Sequence, residues 1–170
     1  MIGIPPRRGG GSRPPDDMPQ SFACLHYHLI FSTKERAPLL VGVRRGGPSR
    51  LYAYIGGVLR NEHGTLVAAG GMPGHAALLV SLSRESSLSD VVRQIKSGTS
   101  RWIHETIPDL RRFAWQAGYA AFAVSYSHVE TVKRYIATQA DHHRNVTFQE
   151  EFLAFLRRHD LEFEGRYLWD

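Results

Sequence analysis

The order in which strand-like and helix-like patterns follow one another most constrains how this chain can fold. Rows of aromatic and β-branched residues bounded by Gly, Pro or charged residues are typical of strands, and apolar residues at helical spacing are typical of helices. Along the chain these patterns give the order β-α-β-β-α-β, followed by two further helical segments. The predicted strands cover residues 22–33, 65–71, 76–82 and 113–124, and the predicted helices begin near Leu51 and after Ser87, Ser127 and Thr147.

This order predicts an α+β fold, namely a ferredoxin-like (RRM-like) antiparallel sheet with helices on one face plus two C-terminal helices. Ser87, Ser127 and Thr147 each precede an acidic residue by three positions, which is the capping-box form that marks a helix start. His63-Gly64 is predicted to end the first helix, and Gly118 interrupts the last predicted strand.

Composition limits the folded part to one domain. The chain has 170 residues, 42% of them apolar and 22% charged, as expected of one domain with its own core. Residues 1–20 contain five prolines, four glycines and three arginines, and little that a core would bury. We therefore predict a disordered basic arm at 1–20 and a domain at 21–170.

Charge and cysteine content indicate the surroundings. A formal net charge of +5 and a pI near 9.7 favour a polyanionic partner, although such a small excess is also common in proteins that bind none. Cys24 is the single cysteine, which fits a reducing compartment. No apolar run reaches membrane-spanning length and the N-terminus lacks a signal peptide, so we predict a cytoplasmic protein without a membrane partner.

A tyrosine and a glutamine lie about one helical turn apart in the helix predicted after Ser127. Val129, Val132 and Ile136 form its apolar stripe, with Tyr135 at the edge of the stripe and Gln139 nearly in line with Val132. Both polar side chains are therefore predicted to face the sheet. They are either functional groups or, in the simpler interpretation, a border residue and an amide that binds a neighbouring carbonyl.

A histidine and an alanine are predicted to share one face of the third strand. His75 and Ala77 are two residues apart, and side chains at that spacing project from the same side of a strand. The residues before them, Gly70 to Gly74, are typical of a turn.

Several sequence blocks, in the same order, resemble the small single-tyrosine HUH transposases of insertion sequences and their repeat-associated relatives. The resemblance extends over about residues 21–170. The matching blocks are Tyr27-His28-Leu29-Ile30-Phe31-Ser32-Thr33-Lys34, Tyr54-Ile55-Gly56-Gly57, Gly70-Gly71 with His75 and Leu78-Leu79-Val80, Lys96-Ser97-Gly98-Thr99-Ser100-Arg101-Trp102-Ile103, and Tyr135-Ile136 with Gln139 and His142-His143.

The resemblance implies a reaction on single-stranded DNA. In this family two His residues of a His-hydrophobic-His strand motif, together with a Gln one turn after the tyrosine, hold a Mg or Mn ion that polarises the scissile phosphate. The tyrosine attacks phosphorus, forms a 5′-phosphotyrosine and releases a 3′-hydroxyl, and the reverse step joins a new strand without a nucleotide cofactor. Homodimers that recognise DNA hairpins are also implied.

Carried over to this chain, the resemblance makes Tyr135 the nucleophile and His75 and Gln139 metal ligands. Ala77 stands where the family has its second His, and Gly74 stands where an acidic residue is usual. Because a methyl group donates no lone pair, we predict Mg or Mn binding that is weak or absent and cleavage that is slow or absent. Ala77 is either an engineered or accidental lesion in an intact transposase or a feature of a natural copy that keeps only DNA binding.

Basic, aromatic and other histidine residues complete the candidates. Tyr27, Phe31 and Trp102 are either stacking faces for bases or core residues, and we favour the core. His28 either lines the cleft or fills the sheet surface, whereas other histidines are expected at the surface or at helix ends. Those histidines are His63, His104, His142 and His143. The predicted DNA-binding residues are Lys34, Arg36, Arg44, Arg45, Lys96 and Arg101.

Three functions are compatible with the residues and with the resemblance. The first is a DNA transposase that cleaves and rejoins hairpin-bearing single strands and is impaired by Ala77. The second is a noncatalytic nucleic-acid-binding module or regulator derived from such a transposase. The third is a metal-dependent nuclease unrelated to transposition, which would release free ends instead of a protein-linked end.

Overall fold

Four strands form the centre of the molecule, as the sequence pattern predicts. The structure is a computed structural model that describes residues 22–41, 48–139 and 147–163. The strands are β1 (Leu25–Ser32), β2 (Thr65–Met72), β3 (His75–Leu82) and β4 (Ala120–Val124). Four helices have both ends in the described ranges: α1 (Pro48–Asn61), α2 (Leu88–Thr106), α3 (Val129–Ala137) and α4 (Phe148–Arg158).

The sheet is antiparallel, with the strand order β2-β3-β1-β4. The two middle strands, β1 and β3, pair along their full length. This is the order that two β-α-β halves of a ferredoxin-like fold produce, so the predicted fold class is confirmed. The predicted arm at 1–20 lies outside the described residues.

Helices α1 and α2 cover one face of the sheet and bury the larger core. Alternate residues of β1 and β3, including Leu29, Phe31 and Leu78, point to this side. They pack against apolar residues at helical spacing in the two helices. These residues are Leu51, Ile55 and Leu59 of α1, and Val91, Val92, Ile95 and Ile103 of α2.

Helices α3 and α4 cover the opposite face. Ala77 and Leu79 of β3 pack with Val129 and Ile136 of α3. Ile30 of β1 packs, together with two residues of β4, against Leu156 of α4; the β4 residues are Ala120 and Phe122. The two C-terminal helices thus form a third layer, and side chains of the strands and of α3 meet on this face of the sheet.

The fourth strand is shorter than predicted. Only Ala120–Val124 pairs with β1, while the segment before it forms a loop with one isolated bridge, Thr33 to Trp115. Phe113 and Trp115 are buried in the α1/α2 core instead of alternating along a strand. Lys96 closes this loop, because its ammonium group donates hydrogen bonds to the carbonyl oxygens of residues 116, 117 and 118.

The helix ends test the capping-box predictions. Thr147 and Glu150 form a complete box, in which each side chain accepts from the backbone N–H of the other residue. Ser87 accepts a hydrogen bond from the backbone of Asp90 and begins α2. The box at Ser127 is wrong, because Ser127 lies in a 3₁₀ turn and α3 begins after His128 without a side-chain cap. The first helix ends before His63-Gly64, as predicted.

Replacing Lys96 by Met is expected to lower the free energy of unfolding by about 1–3 kcal/mol, because three carbonyl groups lose a charged donor. Burial lowers the pKa of the Lys96 ammonium, yet its hydrogen bonds remain those of the charged form. Urea denaturation measures the change. The matched control is Lys34→Met at an exposed site, expected to change stability by less than about 0.5 kcal/mol. Equal effects of the two substitutions would contradict the proposed closure of the loop.

Candidate active site between the sheet and the tyrosine helix

Helix α3 lies unusually close to the sheet because β2 carries glycine where the two meet. A Cβ atom on Gly70 would lie 2.7 Å from the carbonyl oxygen of Ile136 and 2.8 Å from its Cγ2. Gly70 is also paired with Ala77 across the sheet. The close approach therefore sets the position of the Tyr135 helix turn over the strand that carries Ala77.

The Tyr135 ring lies in a half-buried position between the sheet and α4. It makes edge-on contacts with His28 of β1 at 5.9 Å and with Phe155 of α4 at 5.6 Å between ring centroids. Its hydroxyl is 3.5 Å from Nε2 of Gln139, the long limit of a hydrogen bond, and is hydrogen-bonded to the side chain of Glu151. The phenol is thus held by groups from three elements.

The environment keeps the Tyr135 phenol protonated. Burial raises its pKa most, the hydrogen bond to Glu151 and the charge of that carboxylate raise it further, and only the Gln139 amide acts in the opposite direction. A protonated phenol is a weak nucleophile, so attack requires a group that takes the proton. Glu151 is in contact with that proton.

Gln139 is buried just beyond the end of α3. The helix is shorter than predicted, because it ends at Ala137 with Thr138 as C-cap, yet Gln139 is only 2% exposed and faces inward as expected. Its Oε1 has no hydrogen-bond partner among the described residues. A buried amide oxygen in this state is an acceptor available to a cation or a donor.

His75 and Ala77 lie on the sheet face that α3 covers. His75 is the first residue of β3, is 3% exposed, and is paired with Ser32 on one side and Met72 on the other. Ala77 is fully buried and belongs to the apolar cluster that contains Ile136, with Tyr135 packed against it. The structure thus brings Tyr135, Gln139 and Ala77 to one region, with His75 one position further along the same strand face.

The donors present fit a divalent ion only in part. Gln139 offers a buried oxygen without a partner in the described chain, and His75 offers an imidazole, which suits Mn better than Mg. Ala77 offers no donor. Among the residues described there is also no group of three His, Cys, Asp or Glu side chains that could hold a metal. Of the three positions that the sequence resemblance implies as metal ligands, two carry a donor side chain, and a divalent ion at this site stays a prediction.

Comparison with known proteins identifies the family of this chain. The sequence model of the IS200-like transposases (Y1_Tnp) matches residues 21–139, which is most of the chain and includes β1 to α3. The chain belongs to this family. The resemblance seen in the sequence blocks is thereby confirmed, and both Tyr135 and Gln139 fall inside the matched range.

Individual relatives agree with this assignment. The ISDra2 transposase TnpA of Deinococcus radiodurans is 28% identical over 122 residues, which are 69% of this chain and 85% of that protein. A crystal structure at 1.90 Å assigned to the transposases, from D. radiodurans R1, has 25% identity and a TM-score of 0.56 and covers 78% of this chain and 97% of its own. A repeat-associated (REP) tyrosine transposase bound to a REP hairpin shares the fold, with 16% identity, a TM-score of 0.56 and coverage of 77% and 76%.

Two predicted DNA-binding residues of this IS200-like transposase lie at the His75 end of the sheet. Lys34 and Arg36 follow β1, and the turn before β3 packs directly on Arg36: a Cβ atom on Gly74 would lie 2.6 Å from the Arg36 carbonyl oxygen. No side chain fits at Gly74 in this arrangement. Arg44 and Arg45 lie outside the described residues.

The other predicted DNA contacts lie elsewhere. The ammonium group of Lys96 donates its hydrogen bonds to the loop at 116–118. Arg101 is exposed on α2, in the layer opposite α3. Phe31 is buried in the core, as favoured from the sequence. Trp102 stacks on Tyr54 at 5.4 Å with Arg50 over its ring, and like Tyr27 it packs on the core. A phosphate role for Lys96 and Arg101 stays a prediction.

The structure places one of the predicted histidines in the cleft and two others at the surface. His28, left open by the sequence, lies on the α3 side, is 2% exposed and contacts Tyr135, so it lines the cleft. His63 is exposed, and exposed His104 bonds through its ring to the Phe113 carbonyl group at 2.7 Å. The remaining two, at 142 and 143, lie outside the described residues.

Within the described residues no helix is long and apolar enough to span a bilayer.

Glu151 and Phe155 are site residues that the sequence analysis missed. Glu151 sits in the first turn of α4, where an acidic residue is fully accounted for by the helix dipole. Phe155 carries an apolar ring, which a buried helix face fully accounts for. The one available signal was the presence of an aromatic residue and an acid one helical turn apart on α4, which does not by itself indicate Tyr135 as their partner.

Proposed function

We propose that this IS200-like transposase binds single-stranded DNA that carries hairpins and cleaves and rejoins it through a 5′-phosphotyrosine on Tyr135, with a rate limited by Ala77. The observation that carries the proposal is the meeting of the Tyr135 hydroxyl and the Gln139 amide on the sheet face that bears His75 and Ala77. A tyrosine hydroxyl next to a polar amide, on a helix that Gly70 allows to lie close to β2, suits phosphoryl transfer.

Two observations support a DNA partner, namely basic residues near the site and the similarity of the fold to that of a DNA-bound transposase. Lys34 and Arg36 lie at the end of the sheet where β3 begins with His75. A related REP tyrosine transposase has been solved with a REP hairpin, and the present chain shares its fold. By analogy we propose a hairpin-bearing strand as substrate and a homodimer as the active assembly. Binding is expected to weaken with salt, because phosphate contacts release counterions.

The reaction balances with groups of this chain, the strand and water. The Tyr135 oxygen forms a bond to phosphorus while the bond from phosphorus to the 3′-oxygen breaks. Glu151 takes the phenol proton, and the departing 3′-oxygen takes up a proton from water to become a hydroxyl. The reverse reaction joins the phosphate to another 3′-hydroxyl. Because the phosphoester is conserved in the covalent link, no nucleotide cofactor is required.

His75 and Gln139 are the residues that would hold a divalent Mg or Mn ion. When bound, such an ion would polarise the phosphate oxygens. With an alanine methyl at the third ligand position, we propose that binding is weak or absent. His75 and Gln139 remain able to orient a phosphate oxygen or a water by hydrogen bonds.

One observation favours the alternative of a noncatalytic DNA-binding module. Ala77 is fully buried in an apolar cluster with Ile136, and α3 lies directly on the opposite Gly70, so the packing around position 77 is complete without a polar group. A chain that has filled its metal position with apolar packing is suited to binding without cleavage.

Covalent capture separates these functions. Single strands that cover both DNA flanks of the coding sequence, labelled at the 3′ end, are incubated with Mn²⁺ and resolved on a denaturing gel. We expect a slowly formed protein-linked label that disappears completely in Tyr135→Phe, while strand binding stays unchanged. A labelled adduct in Tyr135→Phe would overturn the nucleophile assignment. Free labelled ends without an adduct would indicate the unrelated nuclease.

A further inference from the structure

A groove runs between β4, α3 and α4 next to the Tyr135 ring. It consists of two adjoining cavities of about 440 and 520 Å³, sizes within the range of small-molecule sites, about 300–1,000 Å³. Tyr135 and Glu151 line one cavity, and Phe122 and His128 line the other. We call this the aromatic groove; the residues common to both cavities are His28, Thr131, Val132, Phe155 and Arg158.

His28 forms the floor of the aromatic groove and lacks a partner there. It is 2% exposed, and its Nε2 has no hydrogen-bond partner among the described residues. Burial, and secondarily the nearby His159, lowers the pKa of His28 to about 4, so the ring is neutral at neutral pH. A buried ring nitrogen that binds nothing costs free energy, and a polar ligand edge in the groove would recover that cost.

The walls of the groove are flat and aromatic. Phe122 and Phe155 are stacked, with 5.5 Å between ring centroids, and Phe155 also meets His28 edge-on at 5.5 Å. His159 lies over Phe122 at 4.6 Å. Flat walls that surround one buried polar atom match a planar heteroaromatic ring better than an aliphatic chain.

Charge is distributed unevenly along the groove. Arg158 is exposed on α4 and borders both cavities, whereas the carboxylate of Glu151 lies at the Tyr135 end and is engaged with the phenol. Arg158 therefore favours an anionic group of a ligand at its end of the groove. This polarity suits a nucleotide whose base enters the groove while its backbone phosphate stays outside.

We propose that the aromatic groove binds one unpaired nucleobase of the DNA strand, with the His28 ring nitrogen on the base edge and Arg158 on the adjoining phosphate. The proposal rests on the proposed function, since it assigns the groove to the same strand that Tyr135 attacks. It adds a base-binding site that neither the nucleophile nor the metal ligands provide. His28 and Arg158 are its specificity and binding residues.

Fluorescence anisotropy with labelled 12-nucleotide strands tests this proposal. The probes are dT12, dA12, dC12 and a 12-unit abasic strand of equal charge. His28→Phe keeps an aromatic ring but removes the ring nitrogen, so we expect base-containing strands to bind about 3–10-fold more weakly, the value of one neutral hydrogen bond. Binding of the abasic strand is expected to stay unchanged in this variant.

Arg158→Gln provides a second variant, at an exposed position where folding is not at risk. It is expected to weaken binding of all four strands and to reduce the salt dependence by about one phosphate contact. Arg157→Gln is the matched control, because Arg157 is also exposed on α4 but does not line the groove.

The outcomes separate the groove from the proposed function. If the unaltered chain binds strands and both variants bind them equally well, the groove proposal is wrong and the transposase proposal stands. An equal loss for abasic and base-containing strands in His28→Phe would also overturn the base contact. If the unaltered chain binds none of these four strands, the groove proposal is wrong, whereas the covalent capture experiment on hairpin-bearing flanking DNA still decides the proposed function.

Discussion

Replacing Ala77 with His is expected to increase Mn²⁺-dependent covalent attachment of this transposase to a single DNA strand by at least about tenfold. Tenfold is a lower bound, because loss of a group that merely orients a metal ligand already costs about 10–100-fold in affinity or activity. The introduced imidazole would project from the same strand face as His75, two residues away, and so supply the missing donor.

The substitution has a steric cost that requires a control. Ala77 is fully buried beside Ile136, and added bulk in a packed region typically costs about 1–3 kcal/mol. Ala77→Leu adds comparable bulk without a donor and is expected to show no gain. Thermal unfolding with and without Mn²⁺ gives an independent readout, since a bound ion raises stability by mass action. Equal adduct yield and equal Mn²⁺ response in the Ala77→His and Ala77→Leu variants would refute the assignment of position 77.

Replacing Gly70 with Ala is expected to lower the free energy of unfolding by about 1–3 kcal/mol and to abolish adduct formation in the Ala77→His background. The new Cβ atom would meet the backbone oxygen of Ile136 at 2.7 Å, so α3 has to move away from β2. Displacement of α3 also moves Tyr135 and Gln139, and small misplacements of reacting groups are costly. Chemical denaturation and the covalent capture gel measure the two effects.

Gly118 provides the matched control for this substitution. A Cβ atom there meets nothing within 4 Å, and the residue is exposed in the loop before β4. Gly118→Ala is therefore expected to be neutral or slightly stabilising, by up to about 1 kcal/mol, through the unfolded state. Without the clash, Gly70→Ala would also stabilise, because Gly in a strand interior is unfavourable. An increase in stability for Gly70→Ala would show that α3 does not lie as close as the structure places it.

Two predictions from the sequence that the structure contradicts, the capping box at Ser127 and the strand from Phe113, rest on local patterns that are compatible with more than one structure. Ser127 has a capping-box acid three residues later, but its hydroxyl is hydrogen-bonded to Ser125 and His128, so the helix starts without it. The aromatic row from Phe113 has the composition of a strand, but Trp115 donates its indole N–H to Thr99 inside the core, and the strand begins only at Ala120. Neither partner can be read from the residues next to it.

The sequence by itself determined the order of strands and helices, the inward direction of Tyr135 and Gln139, and the absence of a donor at position 77. These features depend on periodicity and residue type within a few positions, which the chain carries locally. The family resemblance rests on the same local blocks.

Only the tertiary structure decided that α4 returns over the α3 side of the sheet. That return places Glu151 on the phenol, Phe155 on its ring and Arg158 in the lining of a cavity that His28 also lines, although most of the chain lies between β1 and α4. The position of α4 depends on which face of the sheet still exposes apolar area after α1 and α2 have covered the opposite face. A helix stripe shows that a helix packs against a surface, but the choice of surface is made by the whole core.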